Sequence, residues 1–93
     1  MIIYKVLRQI DVFDNETNLL SDEIRLNLFD LELMKSRFNV AQNDPLMYNP
    51  YEINSSHGDI FPDFKFDFKK FAYYLACYDD SDTDKLLINK NVE

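Results

Sequence analysis

The sequence predicts an α+β domain built as a two-layer sandwich. An antiparallel sheet of three or four strands, in ββα(α)β order, packs against one main helix. Three observations predict it. Apolar side chains recur with a period of two over residues 2–13 and again over 20–28; the spacing becomes helical at Asp30; and an aromatic-rich run from Phe71 to Tyr78 returns the chain to an extended conformation.

Residues 2–13 are rich in β-branched and aromatic side chains and contain no Gly or Pro. Tyr4, Val6, Ile10 and Val12 share one face, interrupted by Arg8, while Leu7 and Phe13 lie on the other. A strand apolar on most of one face and partly on the other belongs at the centre of a sheet, here between the second and third strands. Asp14-Asn15-Glu16-Thr17-Asn18 supplies turn chemistry, with Asn tolerant of positive φ. The next strand follows as a hairpin with a loop of about five residues, its apolar series Leu20, Ile24, Leu26 and Leu28 broken at Asp22.

Asp30 caps a helix with Glu32 in its first turn, both favoured at the positive end of the helix dipole. Leu31, Met34 and Phe38 form its apolar stripe, widened by Leu33; Lys35 and Arg37 fall near its C-terminus, and Asn39 or the following loop stops the helix. Residues 41–52 read as a loop, because Pro45 and Pro50 bias the residues before them away from helix. Asn54 or Ser55 caps a short helix through His57 and Ile60, weakened by Gly58 and ended by Pro62. Phe64, Phe66 and Phe68 then alternate with polar residues and lead into the third strand, Phe71 to Tyr78. Residues 1–93 form a single domain, of which 79–93 is an acidic tail where Leu86 to Ile88 either dock as a short edge strand or fray.

At 46% hydrophobic and 15% aromatic, the chain has the means for one modest core without metal or disulfide staples. Its net charge of −7 argues against direct nucleic-acid binding, which needs Lys and Arg for phosphate, and against anionic membrane surfaces. A basic protein partner suits that charge; solubility alone also accounts for it. Cys77 stands alone in an apolar run, so no internal disulfide forms and a small buried hydrophobe is the plain reading. The N-terminal residues lack the pattern of a signal peptide and no apolar run is long enough to span a bilayer; a cytoplasmic location is the expectation.

The search for catalytic chemistry comes back empty, and no enzyme activity, metal or cofactor is expected. His57 is the sole histidine and reads as a surface or helix-end residue; proximity to Ser56 and Asp59 does not make a triad. One glycine cannot build a phosphate loop, and one Cys with one His cannot hold structural zinc. Asp80-x-Asp82-x-Asp84 opens like a calcium loop, but Lys85 and Asn91 occupy the positions that require Gly and a bidentate Glu.

Two features suit binding. One is the acidic cluster Asp79, Asp80, Asp82 and Asp84 directly after Tyr78; the other is the proline-bounded loop carrying Asp44, Leu46, Met47, Tyr48, Tyr51 and Glu52. Tyrosines on a stiffened loop bury a large area at low entropy cost. Leu46 and Met47 are expected to fold inward as a plug over the core, whereas Tyr48 and Tyr51 read equally as anchors or as part of that plug.

The order of strand, acidic turn, strand, helix, Asp44–Ile53 segment and closing Tyr74-Leu75-Ala76-Cys77-Tyr78 resembles small acidic bacterial immunity proteins of contact-dependent inhibition and other polymorphic toxin systems. The resemblance spans roughly residues 3–79 and rests on layout and one loop. It implies a protein that binds a cognate toxin domain, often a basic nuclease, and occludes its active site or substrate surface. Tyr78, Asp79, Asp80, Asp82 and Asp84, with Asp44, Tyr48, Tyr51 and Glu52, are the residues assigned to that contact. The alternative is an acidic interaction module without catalytic activity: an accessory subunit, an adaptor or a phage mimic of nucleic acid.

Overall fold

The computed structural model describes residues 6–79. In chain order it holds β1 (Val6–Asp14), β2 (Leu20–Arg25), α1 (Leu31–Arg37), β3 (Tyr51–Ile53), a 3-10 helix (Ser55–Ile60) and β4 (Phe71–Asp79). The strands form one sheet in the order β2-β1-β4-β3, every adjacent pair antiparallel. This is the α+β architecture expected, with β1 central between β2 and the aromatic strand. β3 lies where the sequence predicts loop: Tyr51–Ile53 pairs with Leu75–Tyr73 at the edge. Three residues between a proline and a capping Asn are too few to show a period. The proposed edge strand at Leu86–Ile88, Tyr4, and the acids Asp80, Asp82 and Asp84 with the calcium-like pattern lie outside the described residues.

β1 supplies both faces of the sheet. Ile10 and Val12 enter the core with Leu75 and Tyr73, their partners on β4. Met34, Phe38, Met47, Ile53 and Phe61 close over them from α1, the loop, β3 and the segment after the 3-10 helix. The five-residue hairpin loop is as expected: Asn18 takes φ 60°, and the Asp14 carboxylate accepts the N–H groups of Glu16 and Thr17 at 2.8 and 3.2 Å. Of the period-two series only Ile24, in β2, and Leu26, just after it, pack against the core. Val12 pairs with Asp22 but Phe13 pairs with Leu20, leaving Ser21 without a partner. That bulge shifts the alternation by one and turns Leu20 to the face opposite the core. Leu28 lies beyond the strand and is 89% exposed.

Asp30 caps α1 by accepting the Leu33 N–H at 3.1 Å, and the helix ends as Phe38 turns to extended backbone. Only Met34 is buried within α1, with Phe38 just after it; Leu33, expected to widen the stripe, is exposed. The 3-10 helix is fastened to α1. Arg37 donates to both carboxylate oxygens of Asp59 and to the Ser56 carbonyl, each at 2.7 Å. His57 is buried, which corrects the surface reading while keeping the helix-end one. Its Nδ1 accepts the Asn54 N–H at 3.0 Å, Nε2 lies 3.1 Å from the Arg37 carbonyl, and its ring stacks on Phe38 at 4.0 Å. The first bond makes Nδ1 the acceptor and leaves Nε2–H as the donor. The alternating phenylalanines form no strand. Phe64, Phe66 and Phe68 stack in sequence at 5.5 and 5.3 Å, and Tyr73 meets Phe66 edge-on at 4.8 Å.

The contrast between core and surface apolar residues gives a stability expectation. Ile10→Ala, at a site with 0% exposure, should lose about 3 kcal/mol in urea unfolding. Leu28→Ala should change stability by no more than about 0.5 kcal/mol. Similar losses for both would contradict this placement of the core.

Candidate partner-binding site

The 44–52 loop is held from two directions. Asp44 is buried and accepts the backbone N–H groups of Tyr48 and Asn49 at 2.8 and 3.0 Å and the Tyr51 hydroxyl at 2.5 Å. Burial works against the charged carboxylate, but these hydrogen bonds and the Arg8 charge outweigh it and hold the Asp44 pKa below the ordinary carboxylate range. Burial and the hydrogen bond to Asp44 push the Tyr51 phenol up. From β1, Arg8 donates to the carbonyls of Met47 and Leu46 at 2.6 and 2.7 Å, while its guanidinium lies 4.3 Å from the Phe29 ring centroid. The cation that interrupts the apolar face of β1 is thus a clamp on the loop.

This clamp sorts the loop residues named from the sequence. Met47 plugs the core at 1% exposure with φ 54°, whereas Leu46, expected beside it, faces outward. The inverted backbone at Met47 sends adjacent side chains in different directions. Asp44 and the half-buried Tyr51 are occupied with each other and hold the loop's shape. Tyr48, 50% exposed, and Glu52 are the loop residues left on the surface beside Leu46.

The face of the sheet away from the core is polar at its centre. Gln9 and Asp11, which alternate with Ile10 and Val12, are buried there. Asp11 pairs directly with Glu23 across β1 and β2, a placement that sets like charges opposite each other. The Gln9 side-chain amide donates to both carboxylates, at 2.6 Å to Asp11 and 2.7 Å to Glu23. The second Asp11 oxygen accepts the Tyr78 hydroxyl at 2.7 Å. Tyr78 stands opposite Leu7, and the small side chain of Ala76, opposite Gln9, leaves room for its ring to lean toward Asp11. That hydrogen bond, partial burial and the charges of Asp11 and Glu23 push the Tyr78 pKa up to about 12.

A concavity of about 530 Å³ opens on this face. Ala72, Tyr74 and Ala76 of β4 underlie it, because two alanines flanking a tyrosine leave a depression. Asp11 and Phe13 line its β1 side, with Asp14, Asn15 and Asn18 at the hairpin end. Phe13 meets Tyr74 edge-on at 5.6 Å. At the other end the hollow is lined by Cys77 and Tyr78 of β4 and by Tyr48 and Pro50 of the loop. Two residues proposed from separate segments, Tyr48 and Tyr78, therefore line one surface. Glu52 shares the face through its pairing with Tyr74. Asp79 ends β4, paired with Val6. Sequence reasoning missed Gln9, Asp11, Phe13, Glu23 and Tyr74. The available signal was polar Gln9 and Asp11 at alternate positions of a strand expected to be central.

Among the described residues no group of three His, Cys, Asp or Glu side chains is placed to hold a metal ion, and no helix is long and apolar enough to cross a membrane. A family of domains of unknown function, DUF7683, matches residues 7–76. No curated protein and no solved structure matches the chain.

Two titrations follow from this geometry. A carboxyl whose folded pKa lies below its unfolded value, about 3.9, stabilises the fold above that value and ceases to as the pH falls through the folded one. Asp44→Asn should therefore unfold more easily than wild type at neutral pH, with the difference shrinking as the pH falls below about 4 in urea melts. A constant difference across that range would contradict the carboxylate's role. A phenol raised above about 10 acts in the opposite sense: Tyr78 stabilises the fold below pH 10 and loses that contribution as the pH climbs through about 12. Tyrosinate absorbance should show a phenol ionising near pH 12 that Tyr78→Phe removes and Asp11→Asn brings earlier, leaving the raised Tyr51 phenol in place.

Proposed function

We propose that this chain, a member of the DUF7683 family, is a non-catalytic domain that binds a basic protein, and that the partner is a toxin domain which it neutralises by occlusion. The observation that supports the binding reading is the concavity on the sheet face away from the core, which combines Asp11 and Asp14 with Phe13, Tyr48, Tyr74 and Tyr78 in a chain of net charge −7. Aromatic side chains supply buried area at low entropy cost, and carboxylates steer a basic partner into register. An acidic surface of this kind stands where a nuclease would otherwise receive phosphates. The resemblance to immunity proteins supports the toxin as the specific partner, and a cytoplasmic site of action goes with it.

The test is capture followed by rescue. Tagged protein is used to capture partners from its source cells at low and moderate salt, and the dominant basic partner is expressed in a bacterial host with and without this chain. The expected result is growth arrest by the partner alone, relieved by co-expression, with association that slows steeply as ionic strength rises. A harmless partner, bound equally well, would overturn the immunity role and leave the accessory or adaptor role standing.

A further inference from the structure

The chemistry at the bottom of the concavity narrows what enters it. Asp11 is only 6% exposed and is matched across the strands by the exposed Glu23; among the described residues the groups that hydrogen-bond the two carboxylates are neutral, the Gln9 amide and the Tyr78 hydroxyl. Among the described residues the ion pair is Arg37–Asp59, in the other layer, and neither Asp11 nor Glu23 has one. Arg25 stands two residues along β2 from Glu23, exposed and unpaired to either acid among the described residues. A buried carboxylate facing a like charge is costly unless a cation joins it. Each carboxylate oxygen keeps a further lone pair beyond the bond it already accepts. The walls beside Asp11 are rings, Phe13 and Tyr74 edge-to-face and Tyr78 leaning across Ala76.

We propose that this hollow receives an arginine side chain of the basic partner, its guanidinium stacked against Tyr74 and Tyr78 and hydrogen-bonded to the Asp11 carboxylate. Arginine fits better than lysine because its planar, weakly hydrated head both stacks on aromatic faces and donates in pairs to a carboxylate, whereas an ammonium is a strongly hydrated point charge. The raised Tyr78 pKa is in keeping with a phenol that stays protonated and orients Asp11 before the partner arrives. The inference rests on the binding reading above and names the group that reading brings to the surface.

The test uses the full chain and a blocked tripeptide, acetyl-Gly-Arg-Gly-amide, against its citrulline counterpart, which keeps the shape and loses the charge. NMR titration should show saturable shifts at Phe13, Tyr74 and Tyr78 with the arginine peptide, and affinity lower by about tenfold or more for citrulline. Asp11→Asn should weaken the arginine peptide by a similar factor. Tyr74→Leu, which leaves the Asp11 network intact, should weaken it several-fold and decides the matter should Asp11→Asn fail to fold. Equal binding of the two peptides, shifts confined to other surfaces, or unchanged affinity in folded variants would overturn the arginine pocket. A salt-sensitive partner captured despite that outcome would leave the binding reading intact, so the two failures are distinguishable.

Discussion

The antiparallel register of β1 against β4 is the constraint on which the molecule depends. Nine paired positions, from Val6 with Asp79 to Asp14 with Phe71, set which side chains meet on each face. In one phase Ile10 and Val12 meet Leu75 and Tyr73 under the helix and the ring stack; in the other Gln9, Asp11 and Phe13 meet Ala76, Tyr74 and Ala72. A slip of one residue would carry the carboxylate of Asp11 into the apolar core and Ile10 out of it. The same alternation therefore stabilises the fold and builds the polar face, and neither can be changed alone.

The edges of the sheet are finished by side chains that serve this arrangement. Arg8 belongs to the core face but reaches beyond it to the carbonyls of Leu46 and Met47, and Asp44 closes the loop from within. Between them they set the approach of Tyr51 into β3 and leave Tyr48 standing at the end of the concavity. On the other layer, Arg37 and His57 join α1 to the 3-10 helix through Asp59, Ser56 and the Arg37 carbonyl. The helix layer is thus internally fastened, whereas on the sheet face away from the core the described residues answer two carboxylates with neutral donors.

The legible parts of this fold were those governed by short-range period and capping. The central place of β1, the five-residue hairpin, the Asp30 cap and the Asn54 cap all follow from residues within a few positions of each other. What escaped depends on distant partners. β3 is too short to show alternation and exists because β4 offers an edge; Leu20 changes face because of a bulge; Leu46 and Met47 part because Met47 takes a positive φ that Arg8 and Asp44 secure. The candidate site divides the same way. Tyr48 and Tyr78 were found as aromatic residues beside acids, but the floor of the hollow needs the cross-strand pairing of Asp11 with Tyr74 and Glu23, which no local pattern announces. Asp44 proves buried as a cap of its own loop, a placement that one letter of sequence does not separate from an exposed acid.

The most direct test of the account is amide hydrogen exchange of the full chain, alone and saturated with the basic protein that the proposed function calls for. The account predicts new protection at the hairpin end near Phe13, along Ala72 to Tyr78 and at Tyr48, with α1 and the 3-10 helix unchanged. Protection gathered instead on α1 and Leu28, with the sheet residues exchanging as before, would contradict it and place the binding surface on the helix layer.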